Sequence, residues 1–118
     1  LPLVSDIQLI SLYLNSYVVT MPTTGGPTNL PLYESFFFKK IIFYSKHLLE
    51  DDLIKNTIPI DINDPNDFYQ RLITLNKKDI DLITLNASKL YKEKCSFENF
   101  KKTYLKVIED FLFFRKSW

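Results

Sequence analysis

Scarcity sets the first limits on this chain. Its 118 residues hold one cysteine (Cys95), one histidine (His47), one tryptophan (Trp118) and two adjacent glycines (Gly25 and Gly26). A lone cysteine forms no internal disulfide, and so small a chain without a cysteine framework fits a reducing, intracellular compartment. One histidine excludes metal sites built on histidine pairs, and any Ser-His-Asp or Cys-His unit would have to use His47. The glycine pair lacks the further spaced glycines and the Lys-Ser/Thr helix opening of a phosphate loop. Neither sign of charge prevails: 15 basic residues against 14 acidic leave a net charge of +1, with no long-range pull toward phosphate backbones or anionic membranes. Long apolar runs are missing too. Phe36-Phe37-Phe38 and Ile41-Ile42-Phe43-Tyr44 are separated by Lys39 and Lys40, far short of the roughly 20 residues that span a bilayer. The expectation is a soluble intracellular protein with no membrane segment, no cofactor, no metal and no direct nucleic-acid contact.

What is abundant is bulk. With 46% hydrophobic and 15% aromatic residues, the chain has enough for one core burying roughly two-thirds of its unfolded surface. The stretch from Leu30 to Leu49 carries more than one buried helix face can use. On a wheel of about 100° per residue, Leu32, Phe37, Phe38, Ile41, Ile42, Tyr44, Leu48 and Leu49 share a broad stripe, while Phe36 and Phe43 fall among Glu34, Lys39, Lys40, Lys46, His47 and Glu50. Two aromatic rings on a charged side suit anchors for a partner chain, or positions covered by a second internal element.

Helix punctuation predicts five helices. Ser5-Asp6-Ile7-Gln8 fits a capping box opening a helix over about 6–17, with Ile7, Ile10, Leu14 and Tyr17 on its core face. Val18-Val19-Thr20 before Met21-Pro22 predicts a short strand or extended exit. Residues 23–29 read as a flexible connector. A long second helix is expected within the stretch from Leu30 to Leu49, and Ile58-Pro59-Ile60 suits an edge strand or loop. Asp64-Pro65 opens a third helix burying Phe68, Leu72 and Leu75. After an Asn76 stop, Asp79 opens a fourth with Ile80, Ile83, Ala87, Leu90 and Tyr91 inward and Leu82 and Leu85 off that face. Ser96 caps a fifth, whose Phe97, Phe100, Tyr104, Leu105, Val107, Ile108, Phe111 and Leu112 read as a core stripe. No internal repeat and no sustained heptad is read from the sequence. The fold class expected is mainly α: a short N-terminal helix and extended segment over 1–22, the linker 23–29, and a compact helical domain over 30–118.

Chemistry finds little support. His47 has lysines and acids as helical neighbours, a solvated setting. Cys95 has an adjacent lysine that could lower its thiol pKa but no base placed nearby in sequence. Glu50-Asp51-Asp52 lacks the spaced oxygen-ligand loop of a calcium site. The lysines of the last helix alternate with aromatics as in some RNA readers, yet core packing accounts for those rings.

Leu30-Pro31-Leu32-Tyr33 before a long apolar helix, Ile58-Pro59 in an extended segment, Lys78-Asp79-Ile80-Asp81-Leu82 opening a helix with Leu90-Tyr91, and a long terminal helix together resemble the GINS complex of eukaryotic replication, in its Psf-three subunit. Ser5-Asp6-Ile7 leading to Val19 and Met21-Pro22 is similar to the helix and strand of that family's small leading domain. Tyr33 stands where the family usually has tryptophan, and Glu34-Ser35-Phe36 does not repeat its Leu-Ala. The resemblance implies a nuclear, non-catalytic subunit of a heterotetramer of homologous helical chains that activates the MCM helicase ring in DNA replication. It transfers subunit contact, carried by Leu32, Tyr33, Phe36, Phe37, Phe43, Phe113, Phe114 and Trp118, with no small-molecule ligand. Phe113 falls outside the last helix's stripe, and a terminal tryptophan is costly to leave in water. Two other readings stand beside it. One is a free-standing helical protein-binding module, a bundle of immunity or immune-modulating type, using the surface around Phe36 and Phe43; the other is an enzyme using Cys95 or His47.

Overall fold

A computed structural model describes residues 3–25 and 30–116. The chain is mainly helical, with a short three-stranded sheet near its N-terminus. In order these are α1 (Asp6–Asn15), β1 (Val18–Met21), α2 (Leu30–Phe37), β2 (Ile41–Ser45), a 3-10 turn (Lys46–Leu48), α3 (Asp51–Ile54), β3 (Ile58–Ile60), α4 (Pro65–Thr74), α5 (Lys77–Cys95) and α6 (Phe97–Lys116). Of the expected 23–29 connector, residues 26–29 lie outside the described residues.

Local signals placed most helix ends. The Ser5 hydroxyl accepts from the Gln8 N–H while Gln8 Oε1 accepts from the Ser5 N–H at 2.8 Å, closing the capping box. Asp64 caps α4 through the Asn66 N–H, with Pro65 at the first helical position. Asn76 does not stop α4 in a left-handed turn. Its φ is −108° and its side chain accepts from the Asp79 N–H, so it is the N-cap of α5, which begins at Lys77. Ser96 accepts from the Asn99 N–H at the base of α6.

The long second helix is not formed. α2 ends at Phe37, Lys39 takes a left-handed φ of 53°, and the chain reverses into β2. β2 is the middle strand, parallel to both neighbours, with Val18 opposite Ile41, Met21 opposite Tyr44, and Phe43 opposite Ile58. A central parallel strand is covered on both faces, and all five of its residues are buried. Ile42 and Tyr44 pack with Leu32, Phe36, Leu53 and Ala87, whereas Ile41 and Phe43 pack with Ile58 and Ile60. Partly buried Phe68 and Leu72 of α4, with Ile80 and Ile83 of α5, close that second face. Pro59 stands in the edge strand β3, where a missing N–H does least damage. Since β1 pairs with β2, the segment before the linker and the one after it share one sheet.

The buried hydroxyls of Ser35 and Thr57 are satisfied close by. Ser35 Oγ donates to the Pro31 carbonyl at 2.6 Å, and Thr57 Oγ1 donates to the Leu53 carbonyl at 2.9 Å. Lys40 Nζ donates to the carbonyls of Leu14 and Ser16 at 2.9 and 3.0 Å, closing the C-terminal end of α1.

Candidate partner interface

Burial divides the expected contact residues. Leu32, Phe36 and Phe43 have no exposed surface and lie inside the chain's own core, so the reading of Phe36 and Phe43 as anchors for a partner is corrected. The wheel that set them on a charged face assumed a helix through residue 49. In a strand Phe43 alternates onto the α4 side and meets the Phe68 ring at 5.0 Å, while Phe36 turns inward from the last turn of α2. Leu32 likewise serves the core. Tyr33 is half-buried and meets Phe36 edge-on at 5.9 Å. Phe37, Phe113 and Phe114 are exposed, and Trp118 lies outside the described residues.

The exposed apolar surface is largest on α6, where the sequence predicted core. Phe97, Phe100, Tyr104, Val107, Phe111 and Phe114 are all exposed, and so are Leu105, Ile108, Leu112 and Phe113. The first six recur at spacings of three and four, holding positions a and d of a heptad along the whole helix. In the sequence the wider stripe through Leu105, Ile108 and Leu112 blurs that register. α6 leaves the body instead of folding back on it: the chain measures 59 × 32 × 32 Å, and a 20-residue helix is about 30 Å long. At its base Asn99 and Ser96 are the half-buried positions, so the seam points away from the body. A helix with apolar residues on so much of its circumference, in water, lacks its cover.

α1 is also inverted. Ile7, Ile10, Leu14 and Tyr17, expected inward, are exposed, and the inward residue is Tyr13. Tyr13 stacks on Phe38 at 5.0 Å and donates its hydroxyl to Glu34 Oε2 at 2.7 Å. Burial, and then the Glu34 carboxylate, raise the Tyr13 hydroxyl well above its ordinary value, so it stays protonated.

Two ion-paired groups complete the polar surface. Lys46 Nζ meets Asp61 Oδ2 at 2.6 Å, while Asp67 accepts from the Asp61 N–H at 2.8 Å and from Arg71 Nε at 2.8 Å. Lys94 pairs with Asp52. The hydrogen bond from Lys46 holds Asp61 below the usual carboxylate range; Asp67 is lowered first by the Asp61 N–H and then by Arg71. His47 is exposed on the 3-10 turn. Cys95 is exposed at the end of α5, and desolvation pushes its thiol up against the smaller opposing pull of Lys94, contrary to what activates a nucleophile. Among the described residues no three His, Cys, Asp or Glu side chains are grouped to hold a metal ion, and no helix is long and apolar enough to cross a membrane.

No protein-family model matches the chain, and a comparison with curated proteins finds no match.

Proposed function

We propose that this chain is a non-catalytic structural subunit of a multiprotein assembly, of GINS type in its Psf-three-like form, acting in the nucleus to support the MCM helicase during DNA replication. The observation that carries the reading is the exposed aromatic seam of α6, a surface built for another helix and lacking one in the isolated chain. The resemblance supports the partner's kind through Ile58-Pro59 in β3, Lys78-Asp79 in the first turn of α5 and the long terminal helix, whereas Leu30-Pro31-Leu32-Tyr33 opens the eight-residue α2 and not the long helix of the resemblance. Homologous helical subunits are the partners proposed. The alternative, a free-standing module engaging its target through Phe36 and Phe43, would need another surface, since both rings are enclosed.

Co-expression with homologous helical subunits tests this. The wild-type chain is expected to co-purify with them, and Phe100→Glu combined with Phe111→Glu to lose the partners while the thermal midpoint stays nearly constant, because both rings already face water. Retention of the partners by that double variant would refute the role given to α6.

A further inference from the structure

α2 and the C-terminal part of α5 border a groove of about 330 Å³ lined by Leu30, Tyr33, Glu34, Phe37, Tyr91 and Cys95. Phe37 and Tyr91 stand 5.5 Å apart between ring centroids with their planes inclined at 57°, forming two walls that meet at an angle. Tyr33, one turn before Phe37 on α2, adds a third ring. One carboxylate accompanies them. Glu34 Oε2 accepts from Tyr13, and its other oxygen has no hydrogen bond among the described residues.

We propose that this groove binds a quaternary ammonium group. Ring faces carry the negative end of the aromatic quadrupole and attract a cation within about 6 Å, and Glu34 supplies the complementary charge. A primary ammonium needs acceptors for three N–H groups, and a lining made mainly of carbon supplies few. A quaternary ammonium has no N–H and needs none. An apolar side chain would suit the carbon lining but would leave the Glu34 carboxylate against a neutral neighbour. Lys94, adjacent to Cys95, is ion-paired with Asp52, so its charge is already matched. The inference departs from the sequence-based expectation of no small-molecule ligand and is independent of the assembly role of α6.

Titration of the full chain with choline, with trimethyllysine in a short peptide, and with the neutral carbon isostere of choline tests it, followed through the ring-proton shifts of Tyr33, Phe37 and Tyr91. Saturable binding of a cation at least about fivefold tighter than the isostere is expected, and the stronger of the two cations names its carrier. Phe37→Leu and Tyr33→Leu keep apolar volume without a ring and should erase the preference. Glu34→Gln should weaken the cations alone. Equal binding of the isostere, or no saturable shift with either cation, overturns the proposal.

Discussion

At the scale of single residues, similar rings in nearby positions have opposite duties. Phe36 and Phe43 are fully enclosed, whereas Phe37 is 58% exposed. Phe36→Ala or Phe43→Ala is therefore expected to cost about 3–5 kcal/mol by urea denaturation, and Phe37→Ala under about 1 kcal/mol. Which ring belongs to which class was not legible from spacing, because it depends on whether residue 43 is helical or extended. Capping residues were legible, since Ser5 and Asp64 act on backbone within three residues of themselves. Asp67 makes a pH-dependent contribution of definite sign. Its charged form is favoured by folding, so that stabilisation is complete above the ordinary carboxylate value of about 4 and is lost as pH falls through the depressed folded value. Asp67→Asn should thus melt lower than wild type at pH 7, and its melting temperature should fall less between about pH 4 and pH 2.

At the scale of elements, the decisive event is the break between α2 and β2. Ile41, Ile42, Phe43 and Tyr44 form a continuous β-branched and aromatic run, which a buried strand and a buried helix segment can share. Pairing with β1 and β3 settles it as strand, through partners 23 positions earlier and 15 later. The reversal places Lys39 at φ 53°, a conformation costing a side-chain-bearing residue roughly 1 kcal/mol more than glycine. Offset by glycine's entropy in the unfolded chain, Lys39→Gly is expected to stabilise the protein by about 0.5 kcal/mol in urea denaturation. α6 behaves differently from every other element, since its helical amides have little tertiary packing to protect them. In the isolated chain they should exchange with solvent far faster than those of β2, and slow markedly once a partner covers the seam. Equal protection in the isolated chain would mean that the helix is already covered.

At the scale of the whole molecule, the radius of gyration is 17.6 Å, against about 13.5 Å for a compact domain of this length. The excess reflects α6 standing off the body. An extended particle with an aromatic seam should self-associate in isolation as concentration rises, and sedimentation should return it to a monomer once Phe100→Glu and Phe111→Glu remove the seam; a wild-type monomer at high concentration would count against an unfilled interface. The amino-acid sequence by itself determined the mainly helical composition, the starts of α1 and α4, the extended character of the β1 and β3 segments, the inward face of α5 and the surplus of rings. Those properties depend on neighbours within a few positions or on totals. The tertiary structure alone decided that Phe43 lies in the central strand of a sheet, that α1 turns Tyr13 inward and shows its isoleucines to solvent, and that the surplus rings stand on α6 and not at Phe36 and Phe43. Periodicity identifies an apolar face but not what meets it, because burial is a relation between segments distant in the chain.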